Sequence, residues 1–124
     1  MTFDDQITFL PVGDLDRSAA FYGEALGLQL VVDQGDCLIY RVAKNSFLGV
    51  CLRPERAEPS GVIITFVTRD VDGWHGRITG AGGICESPPA AHPNYGIYQA
   101  FYRDPDGHLL EIQRFDDPEW SVSS

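Results

Sequence analysis

The hydrophobic pattern of the chain is a series of short strand-like runs, interrupted twice by helical periodicity. Gln6 to Val12 is rich in Ile, Thr, Phe, Leu and Val and predicts a strand. Gly13-Asp14 breaks it, and Asp14 or Asp16 is placed to cap a helix. Leu15, Ala19, Tyr22 and Leu26 then share one helical face, and Gly27 is placed to end that helix in a left-handed conformation. Extended runs follow at Leu28 to Asp33, Cys37 to Ala43 and Phe47 to Arg53, separated by the turns Gln34-Gly35-Asp36 and Lys44-Asn45-Ser46. The first half therefore reads β-α-β-β-β.

Pro54 to Gly61 reads as a linker, and beyond it the pattern restarts. Val62 to Thr68 predicts a strand, Val71 to Ala81 a helix, and Gly82-Gly83 a helix stop. Ile84 to Glu86, Tyr98 to Arg103 and His108 to Phe115 complete three more extended pieces. At an offset of 56, Asp14 meets Asp70, Leu15 meets Val71, Asp16 meets Asp72 and Gly27 meets Gly83, strand lying on strand. For the last strands an offset of 61 aligns Leu48, Val50 and Arg53 with Leu109, Glu111 and Arg114. The expected architecture is α+β: two β-α-β-β-β modules in one domain, about 6–53 and 62–115, with a tail at 116–124. In the first strand Leu10 and Val12 alternate with Ile7, Phe9 and Pro11, so both faces are apolar and both need cover. A helix covers one. The other implies curved mixed sheets enclosing a space for a small ligand, with the helices outside.

Charge narrows the partners. Eighteen acidic against nine basic residues give a net charge of -9, which repels phosphate backbones and anionic lipid, so neither nucleic acid nor a membrane surface is expected as a partner. No apolar run approaches the roughly 18 residues of a membrane span. Cys37, Cys51 and Cys85 are widely spaced with no CxxC, which predicts buried free thiols in a reducing compartment rather than a disulfide or thiolate metal site. Met1-Thr2-Phe3-Asp4-Asp5 has no apolar signal core, so the expected location is cytoplasmic.

Two segments carry a family resemblance. Val12-Gly13-Asp14-Leu15 followed by Arg17-Ser18, Phe21-Tyr22 and Leu26-Gly27, and later Phe101 to Glu111 with its Asp104-Pro105-Asp106-Gly107 core, resemble the opening and closing signatures of the vicinal oxygen chelate superfamily. That superfamily includes glyoxalases, bleomycin- and fosfomycin-resistance proteins and extradiol dioxygenases, and many members are homodimers. The resemblance implies four positions at which metal-dependent members carry His, Gln or Glu, and by motif these are Ile7, Val50, Ile63 and Glu111. One carboxylate among three aliphatic residues does not hold a divalent ion, since catalytic sites use about three protein ligands. No metal or other cofactor is therefore expected, and ordinary glyoxalase or dioxygenase chemistry is disfavoured.

Ile7, Val50 and Ile63 are either plain strand core or the apolar wall of a pocket, with Phe9 beside Ile7. Glu111 is either a general base or ligand anchor, or a carboxylate tied to Arg53, Arg103, Arg114 or a hydroxyl. His92, in a proline-rich stretch read as a loop from Ser87 to Gly96, is a candidate acid, base or replacement ligand beside a solvated-loop reading. Tyr98 and Tyr102 suit stacking on a planar ligand, or core packing. His75 reads as surface, and His108 as part of a tight turn. The expected function is a metal-free small-molecule binder that holds a ligand between its sheets; the alternatives are a metal-independent isomerase- or lyase-type enzyme using Glu111 as general base, and a metal enzyme with Glu111, His92 and Gln113 as relocated ligands. A homodimer is expected, and Trp120 in the tail suits either a dimer contact or packing on its own domain.

Overall fold

A computed structural model describes residues 1–116, and the expected role of Trp120 lies outside them. The described residues divide into two compact units, one of residues 1–60 with 104–108, the other of 61–103 with 109–116. The first contains strands β1 (Gln6–Val12), β2 (Gln29–Asp33), β3 (Cys37–Ala43) and β4 (Ser46–Leu52), hydrogen-bonded in the order β1-β4-β3-β2. The second contains β5 (Ile63–Val67), β6 (Ile84–Ala91), β7 (Ile97–Arg103) and β8 (Leu109–Phe115), in the matching order β5-β8-β7-β6. In each sheet the first and last strands run parallel and the other pairs antiparallel. This is the expected α+β repeat.

The helices are built alike. Helix α1 (Leu15–Ala19, continuing as a π-helix over Ala20–Ala25) is capped by Asp14, whose carboxylate accepts the Arg17 amide at 3.0 Å. Asp70 does the same for helix α2 (Val71–Gly80), accepting the Gly73 amide at 2.9 Å. These bonds satisfy amides that a helix N-terminus leaves unpaired. The stops are Gly27 and Gly82, with φ of 69° and 86°, so the second stop falls in the expected Gly82-Gly83 pair, and the counterpart of Gly27 is Gly82 rather than Gly83. The first helix accordingly carries one residue more between cap and stop. The π turn absorbs it: Leu26 N–H reaches back to the Phe21 carbonyl and Leu28 N–H to that of Tyr22. Ser18, Phe21, Tyr22 and Leu26 are buried, while Leu15 and Ala19 are only half-buried.

Strand registers decide which face each side chain takes, because directly paired residues share a face and neighbours alternate. In the first sheet Leu10, Val12, Leu48, Val50 and Tyr40 share the face covered by α1, where a Cβ on Gly23 would lie 3.4 Å from the Tyr40 ring. All five are buried. Ile7, Phe9, Phe47, Gly49, Cys51, Cys37 and Ile39 share the other face. Val50 is therefore core under α1, and Cys51, the next residue of β4, points away from the helix. In the second sheet Leu110, Ile112, Ala100 and Tyr102 pack beneath Val71 and Ile78 of α2.

Two further expectations are corrected. Cys37 and Cys51 are joined as a disulfide, and only Cys85 is free, so the free-thiol argument for a reducing compartment does not hold for this pair. A register shift between Arg41 and Ala43 is what brings Cys37 opposite Cys51; without it Cys51 would face Leu38. The segment after Glu86 is not a loop. Strand β6 continues through Ser87, Pro88 and Pro89 to Ala91, with two register shifts against β7. Proline is tolerated there because β6 is an edge strand.

Candidate functional site

Glu111 lies in mid-β8, on the face of the second sheet opposite α2. Its register partners are Thr65 on β5 and Phe101 on β7. The same face carries Ile63, Val67, Gln113 and Gln99, with Gln113 paired to Gln99 across the ladder. Glu111 is only 8 % exposed, and so is Gln113. The Thr65 hydroxyl donates to Glu111 Oε1 at 2.8 Å. Of the tethers considered from sequence, the structure selects a hydroxyl. The arginines are engaged elsewhere: Arg53 with Asp36, Arg103 with Glu86 and Arg114 with Asp116. A carboxylate kept from water by apolar neighbours and met by a neutral donor retains acceptor capacity for a ligand's donor or cation.

The sheet registers revise the equivalence between the two halves. Ile7 pairs with Phe47 as Ile63 pairs with Leu109, and Phe9 pairs with Gly49 as Thr65 pairs with Glu111. The last strands thus correspond at an offset of 62, one more than the sequence alignment used, and Gly49 rather than Val50 is the counterpart of Glu111. The Phe9 ring lies over Gly49, within 2.5 Å of where a Cβ would stand. In the first sheet that position offers no donor atom.

The other candidates lie apart from Glu111. Tyr98 and Tyr102 are on the α2 side of the sheet, where their hydroxyls meet Asp72 at 2.6 Å and His75 Nδ1 at 2.7 Å. His75 is therefore a strand-facing hydrogen-bond partner rather than a surface residue. Tyr102 is fully buried, and burial, followed by Cys85 and Asp72, pushes its phenol up to about 12. His92 sits at the tip of the β6–β7 hairpin, its amide bonded to the Ile97 carbonyl at 2.8 Å. Its Nδ1 accepts the Asn94 amide and its ring stacks on Tyr95. Ile97 is four residues along β7 from Phe101, the partner of Glu111, a separation of roughly 13 Å. The structure does not bring His92 to Glu111.

The Asp104–Gly107 turn is a tight turn, as expected, closed by Gly107 N–H on the Asp104 carbonyl. It also anchors the first unit. Asp104 accepts the Tyr22 hydroxyl at 2.6 Å and the amides of Asp106 and His108. Asp106 accepts the Gly13 amide and the Arg17 guanidinium, and His108 Nε2 donates to the Pro11 carbonyl. Burial first, then the Asp104 carboxylate, holds the Tyr22 phenol well above the ordinary tyrosine value. These residues hold structure together.

A family model for the glyoxalase/bleomycin resistance protein/dioxygenase superfamily matches residues 5–112. The chain belongs to that superfamily. It is similar to a probable lactoylglutathione lyase of Vibrio cholerae serotype O1, 28 % identical over 119 residues that cover 85 % of this chain and 86 % of the relative. It is also 24 % identical to the uncharacterized protein YraH of Bacillus subtilis (strain 168), over 85 % of this chain and 93 % of YraH. Among solved structures, a glyoxalase-related enzyme from Fulvimarina pelagi superposes with a TM-score of 0.80 at 26 % identity, covering 95 % of this chain and 91 % of that one.

The divalent ion used by metal-dependent members does not fit the residues present. Ile7, Ile63 and Gly49 have no ligating side-chain atom, and Val50, the position suggested by motif, is core. Among the described residues no group of three or more His, Cys, Asp or Glu is arranged to hold a metal. Thr65, Gln99 and Phe101 were not singled out from sequence. Their signal was the period-two alternation of β5 and β7 read in register with Glu111.

Proposed function

We propose that this chain binds a small molecule without a divalent metal, using Glu111 as the polar anchor on the face of the second sheet opposite α2. The observation that carries the reading is the environment of Glu111: a nearly buried carboxylate whose partner is a neutral hydroxyl, flanked by Ile63 and Phe101. A ligand bearing an amine, a guanidinium or a hydroxyl beside an apolar body complements that surface. The chain's negative charge favours the cationic members of this class. Pairing with a second copy is part of the proposal; exposed Ile7, Phe9, Ile63 and Val67 give such a contact apolar surface.

The test is metal content after dialysis against Ni²⁺, Zn²⁺, Mn²⁺ and Fe²⁺, followed by a thermal-shift screen of amines and hydroxylated aromatics. Less than about a tenth of an equivalent of bound metal, with stabilisation by an organic ligand that Glu111→Gln abolishes, is the expected result. Near one equivalent of metal, lost in Glu111→Ala, overturns the reading.

A second reading rests on the similarity to a probable lactoylglutathione lyase. In it, Glu111 accepts a proton from a bound substrate in an isomerase- or lyase-type step. Turnover abolished by Glu111→Gln while substrate binding persists distinguishes this enzyme from a binding protein.

A further inference from the structure

Cys37 opens β3 and Cys51 lies near the end of β4, directly opposite, with their Cα atoms 4.1 Å apart. That spacing belongs to a non-hydrogen-bonded antiparallel pair, where facing side chains approach most closely. The adjoining ladder does not depend on sulfur, since Leu52 N–H donates to the Asp36 carbonyl at 2.8 Å. The core beneath α1 lies on the opposite face, with Leu10, Val12, Leu48, Val50 and Tyr40, while Cys37 and Ile39 are buried on the face of the disulfide itself. Cys51 is partly open to solvent whereas Cys37 is buried, so a small thiol reaches the Cys51 sulfur first.

The pair also lies at the turn end of an edge hairpin. Strand β2 hydrogen-bonds to β3 alone within its sheet, through a ladder shifted between Leu30 and Val32. The turn joining the two strands ends immediately before Cys37, and Gln34 N–H donates to the Cys37 carbonyl at 2.8 Å. The disulfide therefore pins the turn end of this hairpin to β4 by a covalent bond, and in the dithiol form that end keeps only its backbone hydrogen bonds, while Ile39 and Tyr40 hold the middle of β3 by packing. We infer that Cys37 and Cys51 form a reversible thiol–disulfide switch that fixes or releases the β2–β3 hairpin at the edge of the first sheet.

The oxidant in this step is a low-molecular-weight disulfide of the glutathione class. The Cys51 thiolate attacks one of its sulfurs and expels a thiolate, forming a mixed disulfide. The Cys37 thiolate then attacks the Cys51 sulfur and expels the second small thiolate. Two electrons pass from the cysteine pair to the small disulfide, and the two cysteine protons end on the two released thiols. Excess small thiol runs the sequence backwards.

The experiment equilibrates the full chain in graded mixtures of oxidised and reduced glutathione, traps free thiols with iodoacetamide, and maps the linkage by peptide mass. Amide hydrogen exchange is measured on both end states. The expected result is full interconversion in both directions with unchanged far-ultraviolet circular dichroism, and exchange at least several-fold faster in the reduced form, concentrated in residues 29–43. Cys85→Ser retains this response, whereas Cys37→Ser and Cys51→Ser exchange like the reduced form in every mixture. Loss of the circular-dichroism signal on reduction would make the bond a structural staple and overturn the switch. Failure of the disulfide to re-form, a persistent glutathione adduct at Cys51, or exchange indifferent to redox state overturns it equally. The exchange comparison uses the unaltered chain, so the test stands even if a serine variant fails to fold.

Discussion

The Thr65 hydroxyl donates to Glu111 Oε1 at 2.8 Å, so the carboxylate on the face of the second sheet opposite α2 is held by a neutral group from a neighbouring strand. Thr65→Val keeps the shape of the side chain and removes the donor. A nearly buried acceptor left unmet costs about 1–3 kcal/mol, and urea unfolding should show a loss of that size. Glu111→Gln keeps an oxygen for Thr65 and removes the charge, so its loss should be the smaller of the two. Equal stability of Thr65→Val and the parent chain would show that other donors satisfy Glu111.

Tyr22 and Asp104 provide a second test. The Tyr22 phenol meets a carboxylate that is 2 % exposed, while Tyr98 makes its bond to Asp72 near solvent. Hydrogen bonds to charged groups contribute about 1.5–3 kcal/mol when buried, so Tyr22→Phe should lower stability by that amount. Tyr98→Phe should shift the melting temperature much less. Denaturation of the two variants side by side checks the contrast.

Alkaline pH should weaken the fold. Tyr22 and Tyr102 are held above the ordinary tyrosine value of 10.0, Tyr102 at about 12. A group whose folded value is raised contributes stability that is complete below its unfolded value and is lost as pH rises through the folded one. The melting temperature should therefore fall between about pH 10 and pH 12. The fall should be shallower in Tyr102→Phe, and absorbance at 295 nm should show phenolate appearing late in the folded chain.

Two glycines near one helix should respond in opposite directions. Gly82 has a φ of 86°, so alanine there is strained and should cost about 1–2 kcal/mol. Gly76 lies inside α2, and a Cβ there would meet nothing within 4 Å. Alanine at Gly76 should raise stability by about 0.5–1 kcal/mol through helix propensity. Thermal unfolding of the pair decides it.

Much of the fold is legible in residue pattern because its signals are local. Gln6–Val12 and Cys37–Ala43 were predicted with their observed bounds, and Asp14 and Asp70 cap as their position before apolar periodicity suggests. What stayed hidden depends on register. One residue of shift separates Val50 from Gly49 as the counterpart of Glu111, and with a period of two that shift exchanges the faces of the sheet. The Cys37–Cys51 pairing depends on an irregularity between Arg41 and Ala43 that no spacing rule reveals. Pro88 and Pro89 read as strand breakers, but an edge strand needs no outward donors. Glu111 stood out as a lone carboxylate in an apolar strand. Its neighbours Thr65, Phe101 and Gln99 became a set only through cross-strand pairing.

The π turn of the first helix has a bearing on how this chain tolerates change in length. A residue added to an ordinary helix rotates everything after it by about 100°, carrying buried side chains to the outside. Here the extra residue is confined to one wide turn, and the downstream strands stay in phase. Removing one residue from Ala20–Ala25 would close that turn to the ordinary α-helical count seen in α2 and leave the segments on either side in phase. A second deletion would find no wide turn left to absorb it, and would rotate the rest of the helix by about 100°.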